Sequence, residues 1–231
     1  MNLLQEILSL AAAGTMMLTS ALDTLTPQHD VKGFLFLVNR AYGVAQVYEP
    51  DDLREAQVPG SVRRMREEAS LALEEMFAAC REETGVRLIS ISGYRSWQTQ
   101  NNIWQRKLKN VKGSVEKAQE FVAPPGASEH QLGLAMDIGQ KHKPHLNQKF
   151  GDTEGGKWAR ENCWRFGFIL RYQAEWEEIT GYKEEPWHFR YVGKALAEKI
   201  HKANVPFETW LIQYRYENLM SIARDGQGEQ Q

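Results

Sequence analysis

Apolar residues recur at helical spacing through Met65, Ala69, Leu71, Leu73, Met76, Phe77 and Cys80. That spacing predicts one long helix over 61–84, with Ser61 placed to cap it and Gly85 to end it. The next stretch, Val86-Arg-Leu-Ile-Ser-Ile-Ser-Gly93, is rich in β-branched residues and predicts a central strand. Upstream, alternation around Phe34, Phe36 and Val38 predicts strands within 33–47, followed by a turn at 48–53. Downstream, the pattern predicts helices over 97–109 and 115–122, a loop at 123–127 and a strand over 134–138. A helix over 158–165 is stopped by Gly167, strands follow at 168–172 and 187–191, and helices at 193–202 and 207–218 close the chain. Helices and strands mix without regular alternation, so the expected class is α+β with a mostly antiparallel sheet flanked by helices. The pattern divides the chain into an apolar leader-like or helical segment (1–29), one catalytic-sized domain (30–220) and a polar, frayed tail (221–231).

Composition narrows this picture. With 231 residues, 42% hydrophobic and 25% charged, the chain can bury one substantial core. The formal net charge of −2 argues against a nucleic-acid partner. The local basic run from Arg106 to Lys112 reads as a solvated helix end. Cys80 and Cys163 lack any CxxC spacing, so a thiolate metal site is not expected and two buried free thiols are. Ile7 to Leu22 carries no charge and supports two readings equally. One is a leader or weak membrane anchor, although Met1 to Glu6 lacks the basic residues of a leader; the other is a packed helix. A monomer is the default expectation.

Two strings carry the chemistry: Ser128-Glu-His-Gln-Leu-Gly-Leu-Ala-Met-Asp137 and Glu185-Pro-Trp-His-Phe-Arg-Tyr191. They bring two histidines, an aspartate and a further carboxylate. A catalytic zinc centre uses three protein ligands, an open position for water and a base beside it. His130, Asp137 and His188 supply the ligand types, and Glu185 supplies the base. A lone histidine is more often a hydrogen-bonded core residue; the company of Asp137 and Glu185 changes that weighting. Glu184 competes with Glu185 and otherwise reads as a solvated partner of Lys183. His29 and His201 read as structural or solvated, and His142 and His145 as part of an exposed turn. Arg95 sits at a strand-to-helix junction, where its fork could meet a carboxylate or a developing oxyanion.

The string Ser-Gly-Tyr-Arg95-Ser, then Ser128-Glu-His-Gln with Gly-Leu-Ala and Asp137-Ile, then Glu-Pro-Trp-His188-Phe-Arg-Tyr-Val-Gly resembles the VanY-type D-alanyl-D-alanine carboxypeptidases. It also resembles the related L,D-carboxypeptidases of the same zinc peptidase family. The likeness spans roughly residues 30 to 218. It implies Zn2+ on His130, Asp137 and His188, with Glu185 as catalytic base and Arg95, Gln100 and Ser128 as substrate-binding residues. Two departures, Leu132 for the family's frequent Thr and Phe166 for its frequent Tyr, are expected to bear on substrate fit. The implied activity removes the C-terminal D-alanine from a peptidoglycan stem peptide or its precursor. The expected setting is extracytoplasmic, envelope-associated or secreted, with a cytoplasmic one left open by the lack of basic residues in Met1 to Glu6. The alternatives are L,D cleavage of tetrapeptide stems and a non-catalytic wall-binding module. The serine-enzyme signature Ser114-Val-Glu-Lys117 stands without its Ser-Asp-Asn and Lys-Thr-Gly companions, so a serine mechanism lacks its parts.

Overall fold

A computed structural model describes residues 30–142 and 146–228. The apolar run 7–22, His29, His145 and the last three residues lie outside these. Strands β1 (Leu53–Glu55) and β2 (Arg64–Arg66) form an antiparallel ribbon. The main sheet contains β3 (Leu88–Ser92), β4 (Ala135–Gln140), β5 (Phe168–Tyr172) and β6 (Glu185–Tyr191), in the antiparallel order β3-β4-β6-β5. The expected α+β class with an antiparallel sheet is what forms.

Helix α1 (Glu67–Thr84) covers one face of the sheet and buries Ala69, Leu73, Met76, Phe77 and Cys80. Gly85, with φ 74°, ends it in the left-handed conformation that glycine adopts without strain. The expected start at Ser61 is wrong by six residues. Residues 64–66 pair with β1 instead, and Ser61 donates from Oγ to Ile91 O at 3.1 Å. The expected strands at 33–47 do not form either. This segment runs over the fold with no ladder partner, Phe36 and Val38 entering the main core and Leu37 a second cluster. The predicted turn at 48–53 holds except at its end, where Leu53 opens β1.

Helix α2 (Trp97–Asn110) starts at Ser96, whose hydroxyl accepts from Thr99 N. Helix α3 (Val115–Gln119) is shorter than expected and begins at Ser114, whose hydroxyl accepts from Lys117 N. The serine-enzyme look-alike is therefore a helix cap. A short helix α4 (Lys149–Asp152) precedes α5 (Glu154–Asn162), which Thr153 caps, and a 3-10 turn (Cys163–Phe166) runs into Gly167. Helix α6 (Glu177–Thr180) leads to β6, and α7 (Lys194–Ala203) and α8 (Phe207–Gly228) close the chain. α8 continues ten residues past the predicted end at 218, into part of the expected frayed tail. Both cysteines are free and buried, and burial pushes the Cys163 thiol up to about 12. Among the described residues no helix is long and apolar enough to cross a membrane.

Candidate active site

The two inner strands of the sheet carry two of the expected ligands face to face. Asp137 on β4 is the register partner of His188 on β6, so both side chains leave the same face. His188 Nδ1 lies 3.0 Å from Asp137 Oδ1. His130 comes from a 3-10 turn, Glu129–Leu132, that Gly133 closes at φ 68°. A side chain at 133 would be strained there, and its Cβ would stand 2.8 Å from Leu53 Cδ2. The turn is pinned from several sides. Arg95 N donates to His130 O at 3.1 Å, Arg66 N to Gly133 O at 2.8 Å, and Gln131 Nε2 to Ala45 O at 2.9 Å.

His130, Asp137 and His188 are all buried, and one donor atom from each lies within 4.8 Å of the others. The donor chemistry fits a metal. His130 Nδ1 is 2.8 Å from Gly93 O, and a carbonyl only accepts, so Nδ1 carries the hydrogen. His130 Nε2 is then a bare lone pair; it is buried, lacks a hydrogen-bond partner and lies 3.3 Å from Asp137 Oδ1. Two acceptors facing one another in a dry site call for a cation between them. Burial and the nearby Arg95 lower His130 to about 4, which keeps it neutral as a ligand must be. Burial works to raise Asp137, but the two histidines beside it hold it well below the usual carboxylate range.

Glu185, at the start of β6, places Oε2 3.9 Å from His188 Nδ1. Burial pushes its carboxyl up to about 7, against the opposing pull of His188. A carboxylate titrating near neutrality is suited to taking up and giving back a proton. Glu184 faces away: it pairs with Arg160 at 3.4 Å, while Lys183 pairs with Glu177 at 2.8 Å. The expected Glu184–Lys183 pairing is thus replaced by two others.

Arg95 is not a surface salt bridge. Its Nη2 stands 3.9 Å from Asp137 Oδ2, and its buried Nε has no partner. Gln100 donates to Ala123 O at 2.7 Å and leaves a buried Oε1 unpartnered. Both line one cleft of about 200 Å³, together with Ser128, His130, Asp137, Glu185 and His188. All seven residues singled out in the sequence therefore converge. Leu132 and Phe166 do not; both pack in the main core, so the expected effect on substrate fit has no contact behind it. His201 stacks on Trp164 at 5.0 Å, away from the cleft.

Sequence reasoning missed Glu129, which lies inside the quoted string. Its carboxylate touches His188 Nε2 at 3.0 Å, Arg171 Nε at 2.8 Å and Arg190 Nη1 at 3.0 Å. It also missed Tyr172, Tyr182 and Trp187, which wall the cleft. Tyr172 and Tyr182 lie 4.9 Å apart, and Tyr172 rests 5.0 Å from the His188 ring. The prior signal was slight: Trp187 stands in one of the strings that carry the resemblance, and Tyr172 and Tyr182 lie only within the span it covers.

Comparison with known proteins agrees with the geometry. The putative carboxypeptidase YodJ of Bacillus subtilis (strain 168) is 42% identical over 195 residues, which cover 81% of this chain and 70% of that protein. The solved structure of the LdcB LD-carboxypeptidase superposes with a TM-score of 0.72 at 40% identity, covering 83% of this chain and 87% of the other. A variant of the vancomycin resistance D,D-pentapeptidase VanY, solved in complex with Zn(II), matches with a TM-score of 0.65 at 36% identity, covering 77% and 98%. Residues 62–194, which hold the whole His-Asp-His group together with Glu185 and Arg95, match the model for VanY D-alanyl-D-alanine carboxypeptidases, and the chain belongs to that family.

Proposed function

We propose that this protein is a zinc-dependent carboxypeptidase that releases the C-terminal D-alanine of peptidoglycan stem peptides. The observation that carries the reading is the convergence of His130, Asp137 and His188 with a raised carboxyl at Glu185 and an Arg95 whose buried Nε has no partner. His130, Asp137 and His188 would hold the metal, which supplies Lewis acidity when bound, acidifying water and polarising the scissile carbonyl. Glu185 takes the proton of the attacking water and returns it to the leaving amine. Arg95 receives the terminal carboxylate through parallel charge-assisted hydrogen bonds, for which its free Nε and loosely held Nη2 are available. Gln100 and Ser128 orient the last residue, and Tyr172, Tyr182 and Trp187 exclude water around it. A peptidoglycan substrate favours work outside the cytoplasm, in the cell envelope.

Cleavage between two D-alanines is the reading we favour, on the family match at 62–194. The likeness to LdcB supports a second reading, L,D cleavage of tetrapeptide stems. Both release D-alanine; they differ in the configuration of the residue that donates the scissile carbonyl. Matched pentapeptide and tetrapeptide stems, incubated with the zinc-loaded protein and analysed by mass, separate the two. D,D cleavage converts pentapeptide to tetrapeptide, and L,D cleavage converts tetrapeptide to tripeptide. Failure on both, with zinc bound, would replace the enzyme by a wall-binding module.

A further inference from the structure

The charges behind the metal ligands are arranged in a way that scaffolding does not require. Glu129 is 2% exposed, and Arg171 and Arg190 are 1% and 0% exposed, so three ionic side chains are nearly dry. Arg171 places its remaining nitrogens on Glu208 of α8 at 2.8 and 3.1 Å. Arg190 donates from Nη2 to Phe34 O and Phe36 O and from Nε to Tyr191 O. Apolar side chains of similar volume commonly stabilise such a position as well or better, because buried charges lose their hydration. What an apolar cluster cannot do is accept a hydrogen from His188.

Glu129 Oε2 is 3.0 Å from His188 Nε2, and a carboxylate flanked by two guanidiniums is an acceptor. The Nε2 position of His188 therefore carries the hydrogen. Nδ1 is the nitrogen that meets Asp137 Oδ1 at 3.0 Å, the same oxygen that His130 Nε2 approaches at 3.3 Å, and it is the one freed to ligate when a cation takes the place of a hydrogen there. The opposite tautomer would set a lone pair against Glu129 and turn an N–H toward the other two ligands.

We propose that Glu129 is a positioning residue of the metal site: it fixes the tautomer and ring orientation of His188 so that Nδ1 is the ligating nitrogen, while Arg171 and Arg190 hold the carboxylate in place. This rests on the metal reading given above. The general precedent is that partners of a ligating histidine tune metal affinity on the order of 10–100-fold.

The test compares Glu129→Asp with Glu208→Gln. Aspartate keeps the negative charge between the arginines but is one methylene too short to reach His188 as well. Glu208→Gln loosens the same buried cluster without touching His188. Zinc affinity is measured by competition with a chromophoric chelator, and circular dichroism and a urea titration report folding. Glu129→Asp should weaken zinc binding on the order of 10–100-fold, and Glu208→Gln should lower the urea midpoint with zinc affinity near wild type. Equal zinc affinity in Glu129→Asp and wild type, or equal losses in both variants, makes the cluster a scaffold and overturns the inference. Wild type that binds no zinc overturns the metal reading itself, a distinguishable failure. Should Glu129→Asp not fold, nitrogen-15 spectra of the zinc-loaded wild type decide. His188 must show a protonated Nε2 and a ligating Nδ1, and the reverse overturns the proposal.

Discussion

Replacing Glu185 by glutamine keeps the shape of the side chain and removes its ability to accept a proton. General-base help of the usual size, 10²–10⁴-fold, corresponds to about 3–5 kcal/mol of barrier at about 1.36 kcal/mol per tenfold. The structure argues for the effect through position: Glu185 lies beside His188 at 3.9 Å in a largely buried setting that raises its carboxyl to about 7. The base works only when unprotonated, so kcat/KM falls as pH drops through its pKa. The positive charge of a bound zinc ion lowers that pKa, which sets the acid limb of the profile below 7. Glu185→Gln should lose at least about a hundredfold in D-alanine release, keep equimolar zinc by elemental analysis, and lose the acid limb. Glu184→Gln is the control, because Glu184 is turned toward Arg160 at 3.4 Å. Severe damage from Glu184→Gln alongside a mild effect of Glu185→Gln would refute the assignment of the base.

Three further outcomes are expected. Arg95→Lys should lose much of the preference for stem peptides ending in free D-alanine over the same peptides ending in D-alanine amide, since an ammonium cannot make two parallel bonds. Lost turnover with an intact acid-over-amide ratio would instead place Arg95 on the transition state. His130→Ala and His188→Ala should each abolish tight zinc binding, and stoichiometric zinc in both variants would remove the metal assignment. Gly133→Ala should destabilise the fold by roughly 1–2 kcal/mol from its left-handed backbone alone, with crowding against Leu53 and Arg66 adding to it. An unchanged urea midpoint would show that the turn bearing His130 relaxes freely.

The local pattern revealed elements that make their own hydrogen bonds or carry a full period. α1 and α2 are of this kind, and the ligand set was legible because a short string holds each member with few intervening residues. Partnership was not legible. Phe34, Phe36 and Val38 do alternate, and the two faces do bury in different places, but the carbonyls of Phe34 and Phe36 go to Arg190 rather than to a neighbouring strand. Residues 64–66 fit a helical stripe through Met65, and only pairing with β1 shows that they are extended. Glu129 was passed over because its partners lie 42, 59 and 61 residues away. Charge complementarity at that range leaves no local trace.

The facing register of Asp137 and His188 has a consequence for how errors in the fold are detected. Side chains alternate between faces along a strand, so a slip of one residue between β4 and β6 would oppose Asp137 to Trp187 or Phe189, the neighbours of His188, whose side chains leave the other face. The donor set exists only in the correct pairing. Ion capture therefore acts as a checksum on the central strand pair, adding its binding free energy to the native alignment and to none of the neighbouring misalignments. Insertions beyond Gln140 leave this check untouched, whereas a single residue inserted within 135–137 or 188–190 removes ligand geometry and strand pairing in one step.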